Sequence, residues 1–332
     1  MCIRDRSQNH DTYVNTTNEH QIGAYNAGSG YMMDGYMAEI NFIDGYAYGP
    51  EYFGEFNASN IWIPKEYTGT YGTNGFYITG ETDSDLGANK ASGNTFATYA
   101  SSGMGTHDKV LDSPTNNFVT LNPMDADGLT HGELTGGMLE ITGSQVDYIR
   151  QTVPFPTSGK WYWEVCTVSK TQGNWNYGNH TFLDVISERG TETDYVRTNW
   201  YHGSNFASSS NWTDGDFWTN SNAASDGDVF GFAWDSDNKK LWLAKNNTYY
   251  GSGNPAANSG TPLASGGTAG MEYTVEMYTA LSQVMTMNYG QDSSFNGAKT
   301  RQNNSDDNDV GDFYYAPPTG FLALCTKNLG AE

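Results

Sequence analysis

The fold of this chain is decided by the stretch at positions 227–246, GDVFGFAWDSDNKKLWLAKN. Large aromatic and small residues alternate in its first half, where the aromatic positions are Phe230, Phe232 and Trp234. The polar run 235–240 then supplies a turn, after which apolar residues return in the run LWL. A period of two on both sides of a polar turn predicts an antiparallel hairpin, because successive side chains of a strand point to opposite faces.

A strand with the same alternation lies upstream, in GKWYWEV at positions 159–165. Trp161, Trp163 and Val165 fall on one face of this strand, whereas the tyrosine and glutamate between them fall on the other. Two more strands are predicted downstream, at 272–278 and 282–289. We expect the tryptophan face to line a core that these strands share.

These stretches, with MNYGQDSSF at 287–295 and PPTGFLAL at 317–324, follow one another in a characteristic order and spacing. They resemble the SPRY family, whose members show "GKxYWEV", "GDVIGxxLDxDNxxLxFxKN", "NFGQxxF" and then "PxGFxAL". The resemblance implies an all-β fold, an antiparallel β-sandwich of the SPRY or concanavalin A-like jelly-roll type. We assign this domain to residues 126–330.

Binding surfaces of SPRY domains are built from loops at one end of the sandwich, and we expect the same here. The stretch 171–225 is long and rich in Asn, Trp and Gly, and its aromatic rings can stack on sugars or anchor protein partners. His180, His202 and Phe217 lie within it. The sequence leaves open that some of its rings cap the sandwich ends. The predicted ligand-binding residues are Trp175, Tyr177, Arg197, Trp200, Tyr201, Trp212 and Trp218.

The composition of the chain indicates an all-β protein and argues against binding to nucleic acid. Aromatic residues make up 14% of the 332 positions, and 39 glycines punctuate the sequence, as suits short strands with many turns. The 38 acidic and 16 basic residues leave a formal net charge of −22, which repels phosphate backbones. No apolar run approaches the ~20 residues that span a bilayer, so we expect no membrane insertion.

The N-terminal part of the chain divides into three segments. Residues 1–7, MCIRDRS, resemble adapter read-through in reading frames assembled from metagenome DNA, and we interpret them as an artefact. Residues 8–56 are interpreted as the remnant of a laminin-G-like lectin sandwich, because one strand, predicted between the two Asp-Gly turns of 31–45, resembles its closing "DGY-x-x-E" strand. The alternative is a strand that joins the following domain. Residues 57–125 are predicted to be an irregular, loop-rich linker.

Catalytic motifs are absent from the sequence, and we expect no enzyme activity, no catalytic residue and no cofactor. The acidic residues Glu188, Glu192 and Asp194 are interpreted as a solvated loop rather than as an acid/base pair. Calcium binding by the cluster Asp306, Asp307 and Asp309 stays open, although no metal site is predicted.

The cysteines lack both a disulfide framework and metal-ligand spacing. Cys2 lies in the segment interpreted as an artefact. Cys166 and Cys325 are predicted to be buried thiols, and a bridge between them is the alternative.

A context for the chain comes from residues 31–125, which resemble hypothetical proteins of marine bacteriophages in phrases such as "DGYMAEINFIDG" and "KEYTGTYGTNGFY". We therefore expect a virion or tail-fibre component on the particle surface that recognises a host-surface glycan or protein. One alternative is a purely structural component that packs against neighbouring virion subunits. Another is the binding module of a truncated polysaccharide-degrading enzyme. A homo-oligomer stays open.

Overall fold

The computed structural model of the protein describes most of the C-terminal half and separate parts of the rest. The described residues are 14–16, 20–25, 31–32, 37–56, 62–82, 85–91, 108–113, 116–125, 133–142, 147–169, 182–186, 195–199, 206–208, 212–214, 224–268, 270–279 and 283–329. The chain forms two compact units, an N-terminal unit (Met1–Gly103) and a C-terminal unit (Met104–Glu332). This division falls before residue 125, where we expected the linker to end. Phe118 and Leu121 are buried in cores of the C-terminal unit.

The N-terminal unit contains short antiparallel strand pairs. Its strands are β1 (Ala24–Tyr25), β2 (Tyr31–Met32), β3 (Ile40–Phe42), β4 (Gly54–Phe56), β5 (Trp62–Pro64) and β6 (Phe76–Ile78). β1 pairs with β2, β3 with β6, and β4 with β5. The strand predicted between the two Asp-Gly turns of 31–45 is present but shorter than predicted, because β3 begins only at Ile40. Glu39 before it has a φ of +55°, a left-handed conformation that cannot continue an extended strand.

In its described residues the C-terminal unit is built mainly from strands, with short 3-10 helices at Pro123–Asp125 and Tyr250–Ser252 and a short α-helix near its end. Its elements are β7 (Glu133–Thr135), β8 (Glu140–Thr142), β9 (Asp147–Arg150), β10 (Lys160–Ser169), β11 (Phe182–Ile186), β12 (Tyr195–Asn199), β13 (Phe206–Ser208), β14 (Trp212–Asp214), β15 (Val229–Asp235), β16 (Lys240–Lys245), β17 (Thr248–Tyr249), β18 (Ala264–Gly266), β19 (Thr274–Thr279), β20 (Val284–Asn288), β21 (Leu322–Ala323) and α1 (Thr326–Leu329). None of the helices that the structure describes has the length and hydropathy needed to cross a membrane.

Two sheets organise this unit. The larger has ten strands in the order β14-β18-β16-β15-β10-β20-β8-β7, with β17 beside β16 and β21 beside β10. The smaller has five strands in the order β13-β12-β11-β19-β9. Neighbouring strands run antiparallel, except that β21 lies parallel to β10. The predicted hairpin over 227–246 is confirmed as β15 and β16, and the predicted strands near 272–278 and 282–289 are β19 and β20.

The main core lies between the two sheets. Trp163 and Phe232 are paired across β10 and β15, and their rings stack with centroids 5.0 Å apart. The smaller sheet contributes Val196, Val275 and Met277 to the same cluster. Each such side chain stabilises the fold by roughly 1.5–3 kcal/mol when it leaves water. The predicted all-β antiparallel sandwich is therefore confirmed.

A second apolar layer covers the opposite face of the larger sheet, and the sequence did not predict it. Tyr162 and Trp242 on that face pack in one cluster with Phe313 and Phe321 from the C-terminal segment. As a result every residue of β15 is buried, including the small residues that alternate with its aromatic rings. Gly231 is one of them, and a Cβ there would lie only 2.5 Å from the Tyr162 hydroxyl.

Both cysteines in the described part of the C-terminal unit are buried free thiols. The prediction for Cys166 and Cys325 is confirmed, and the alternative bridge is not formed. Burial raises the pKa of the Cys166 thiol to about 12, so it stays protonated at neutral pH. Cys2 lies outside the described residues.

Candidate functional site

Most of the predicted binding residues lie outside the part of the chain that the structure describes. They are Trp175, Tyr177, Trp200, Tyr201 and Trp218, and the acidic residues Glu188, Glu192 and Asp194 lie outside it as well. Arg197 lies within β12 rather than in a loop, where its Cα pairs with those of Asp184 and Ala207.

Trp212 requires a correction, because it belongs to the core and not to a binding loop. It lies in β14 with only 6% of its surface exposed. Its ring centroid lies 5.8 Å from that of Trp234 and 5.4 Å from that of Tyr273. A ring enclosed in this way cannot stack on a ligand. The sequence could not reveal this, since aromatic rings in Asn-rich stretches suit both a strand and a loop.

Each of the two predicted aromatic segments is joined to a strand of the smaller sheet, and the joined ends of these two strands, β11 and β12, lie side by side. β11 and β12 are antiparallel, and Phe182, the first residue of β11, pairs with Asn199, the last residue of β12. The segment with Trp175 and Tyr177 joins the sheet at Phe182, and the segment that begins with Trp200 leaves it at Asn199. The points of attachment of the two segments are therefore adjacent, as antiparallel pairing requires.

The buried side chain of Glu164 lies on the face of the larger sheet that carries Tyr162, and it binds the C-terminal segment at Tyr314 and Tyr315. Glu164 Oε1 accepts hydrogen bonds from the Tyr315 backbone N–H at 2.7 Å and the Tyr162 hydroxyl at 3.2 Å. Its Oε2 accepts from the Tyr314 backbone N–H at 2.8 Å and from Asn288 Nδ2 at 3.1 Å. The side chain is fully buried. We assign it to folding rather than to catalysis.

The titration of Glu164 makes stability depend on pH. Burial raises the pKa of its carboxyl to about 7, because the cost of desolvating the charge outweighs the four donors. Between the ordinary pKa of a glutamate and about pH 7, the folded protein therefore keeps a proton that the unfolded chain has already released. Binding of this proton stabilises the folded state, and the stabilisation is lost as the pH rises through that window.

We accordingly expect the free energy of unfolding of the protein, relative to Glu164→Gln, to fall as the pH is raised from 5 to 8. Urea unfolding of both proteins at a series of pH values measures this difference, and glutamine does not titrate. A difference that stays constant, or that grows with pH, would contradict the raised pKa.

In the acidic cluster at 306–309, Asp306 is hydrogen-bonded to its own loop and to the C-terminal segment. Asp306 Oδ1 accepts from the backbone N–H groups of Asn308 and Val310, and its Oδ2 accepts from the Ala323 N–H and from Asn328 Nδ2. Each carboxylate oxygen thus already has two donors, as is common for Asp in turns. Within the described residues, no three His, Cys, Asp or Glu side chains form a group that could hold a metal ion.

Exposed tyrosines form a row on the N-terminal unit, which the sequence analysis missed. The exposed fractions are 60% for Tyr46, 37% for Tyr48 and 45% for Tyr52. Tyr48 lies between the other two, with centroid distances of 5.8 Å to Tyr46 and 4.5 Å to Tyr52. The signal was the close spacing in GYAYGPEYF at 45–53. We call these three residues the tyrosine row.

Comparison with known proteins gives structural matches only. No protein-family model matches this chain, and no curated protein matches it. The SPRY domain of human HERC1 is 15% identical, with a TM-score of 0.32, and the match covers 50% of this chain and 96% of that domain. The TRIM65 PSpry domain is 11% identical, with a TM-score of 0.32, over 52% of this chain and 89% of that one.

A bacterial module is also among the similar structures. The carbohydrate-binding module CBM66 from Bacillus subtilis is 4% identical, with a TM-score of 0.27, over 45% of this chain and 81% of that module.

Proposed function

We propose that this chain is a non-catalytic adhesion protein of a phage particle, which recognises a glycan or protein on the host surface through loops at one end of its sandwich. The observation that carries the proposal is the pairing of Phe182 with Asn199, which brings the attachment points of two aromatic segments together. Tryptophan and tyrosine are the side chains that most often dominate binding energy at such surfaces.

The rigid support of these loops favours the same function. β11 lies between β12 and β19 in the smaller sheet, and Val196 and Val275 anchor the neighbouring strands in the core. Binding residues are disproportionately carried by loops that a rigid scaffold positions, and this sheet fixes the points from which both segments leave it. The net charge of −22 further favours an uncharged or cationic target over a phosphate-rich one.

Binding to bacterial cells and to glycan arrays tests the proposal. We expect the double variant Trp175→Ala/Trp200→Ala of the full chain to bind at least tenfold more weakly, because each ring removed is a candidate anchor. Met124→Ala is a suitable control, since this side chain is 92% exposed in the same unit. Undiminished binding by the double variant would refute the loop site.

The position of the protein in purified particles tests the phage context. An adhesion protein is expected at the tip of the tail, where antibody labelling in electron micrographs would detect it. Labelling along the shell or tube would favour the structural alternative instead.

A further inference from the structure

The tyrosine row is an exposed aromatic surface that rests on a buried aromatic support. The ring of Tyr48 lies 5.7 Å from that of Tyr67, which is only 5% exposed. Tyr67 in turn packs on Phe53 and Tyr71, at 5.4 and 5.1 Å. The Tyr67 hydroxyl donates to the Thr70 carbonyl at 3.1 Å. This support holds the exposed rings in place before any ligand arrives, which lowers the entropy cost of binding.

The backbone explains why the three rings meet. Gly45 has a φ of +85°, and Tyr46 and Tyr48 follow it two residues apart. Pro50 then begins a short 3-10 helix, Pro50–Tyr52, in which the Phe53 N–H donates to the Pro50 carbonyl at 2.9 Å. This turn returns the chain, so that Tyr52 contacts Tyr48.

The geometry of the row leaves ring faces open to solvent. The rings of Tyr46 and Tyr48 are inclined by only 16°, yet their centroids are 5.8 Å apart. Because carbon atoms in contact lie at about 3.5–4 Å, nearly parallel rings at this separation are displaced sideways and do not cover each other. Tyr46, which is 60% exposed, therefore presents an apolar face with a polar hydroxyl at its edge.

The size of the row favours a small ligand over a protein partner. A tyrosine carries roughly 200 Å² of contact area, so three rings that are about half exposed offer roughly 300 Å². A stable protein interface buries about 800 Å² on each partner. The row is therefore suited to a ligand of a few rings.

The charges beside the row favour an uncharged ligand. The Glu51 carboxylate lies against Gly49, directly after Tyr48 in the chain, and would repel acidic groups. The nearby cation, Lys65, is engaged, because its Nζ donates to the Glu51 carbonyl at 3.0 Å and lies 3.9 Å from Glu55 Oε2. The rings of Tyr46 and Tyr48 are inclined by only 16° and those of Tyr48 and Tyr52 by 37°, an arrangement that suits a flat sugar ring better than a cage around a cation.

From these observations we infer that Tyr46, Tyr48 and Tyr52 form a binding platform for a neutral oligosaccharide. The C–H faces of the sugar rings stack on the tyrosines, and the sugar hydroxyls exchange hydrogen bonds with the phenol groups at their edges. This site is on a different unit from the loops that carry the proposed function and does not depend on them.

Isothermal titration of the full chain with neutral oligosaccharides of glucose, mannose, galactose and N-acetylglucosamine tests the inference. We expect at least one to bind, and Tyr46→Ala/Tyr52→Ala to weaken that binding at least tenfold. Tyr46→Phe/Tyr52→Phe should retain most of the affinity, because stacking survives without the hydroxyl. The matched control is Phe56→Ala, which removes a ring that is 63% exposed elsewhere in the same unit.

Three outcomes overturn the inference: no binding of any neutral oligosaccharide at millimolar concentration, equal binding by the double alanine variant, or displacement of the sugar by choline. Circular dichroism of each variant shows whether a loss of sugar binding is caused by unfolding. The single variant Tyr46→Ala is measured in the same way. Met124→Ala, at an exposed position of the C-terminal unit outside both proposed sites, should leave this binding unchanged.

Discussion

Replacing Glu164 by alanine is expected to lower the free energy of unfolding of the C-terminal unit by about 3–5 kcal/mol. The change removes the acceptor of two backbone N–H groups, at Tyr314 and Tyr315, and leaves both without this partner in a partly buried environment. It also deprives Asn288 Nδ2 and the Tyr162 hydroxyl of an acceptor. Removal of one member of a buried polar network costs more than the network contributed, since the remaining groups cannot return to water.

Urea unfolding followed by circular dichroism measures this effect. Glu272→Ala removes an exposed carboxylate from the same unit and is expected to change stability by less than 0.5 kcal/mol. The loss of unfolding free energy in Glu164→Gln should lie between those of Glu164→Ala and Glu272→Ala. Its amide keeps one acceptor oxygen but places an NH₂ group against a backbone N–H. If Glu164→Ala unfolds at the same urea concentration as Glu272→Ala, the carboxylate does not hold the C-terminal segment.

The second large effect is expected from Trp163→Ala, which removes the centre of the sandwich core. Trp163 is fully buried, its ring stacks on Phe232 at 5.0 Å, and it lies 5.0 Å from Phe155. Truncation of a buried aromatic ring to alanine typically costs about 3–5 kcal/mol, from lost transfer free energy and from the cavity that remains. For a unit of this size, that corresponds to a fall in Tm of about 10 °C.

Thermal unfolding followed by circular dichroism checks the second prediction without relying on tryptophan fluorescence. Trp163→Phe should recover part of the loss, because it keeps an aromatic face for Phe232. Met124→Ala, at a fully solvated position, is the control and should leave the Tm unchanged. A fall of less than 2 °C for Trp163→Ala would mean that the core does not depend on this stack.

Several features of the fold could be predicted from short stretches of sequence. The hairpin of β15 and β16 has the expected turn, with Asp235 paired to Lys240. The faces of β10 are also as expected, since Trp163 lies in the core between the sheets and Tyr162 in the layer on the opposite face. These predictions succeed because the alternation of side chains is a property of the extended backbone over a few residues.

The binding residues were harder to predict, for a physical reason that Trp212 illustrates. An aromatic ring among Asn and Ser can lie on a strand or in a loop, and the choice depends on which distant strand is available to pair. Trp212 pairs with Gly266 in β18, far along the chain, and is thereby enclosed. The tyrosine row is the opposite case, because its aromatic rings are exposed. The close spacing of these tyrosines in the sequence did not indicate whether their rings would be covered.

The sequence alone determined the all-β class, the hairpin and the face on which each side chain of β10 from Trp161 to Val165 lies, because backbone geometry over neighbouring residues sets these features. Only the tertiary structure decided what each face meets. Glu164 is buried because Tyr314 and Tyr315, 150 and 151 residues further along, donate to it, whereas Tyr46 stays in solvent. Burial depends on contacts between distant segments, and local periodicity does not specify which segments those are.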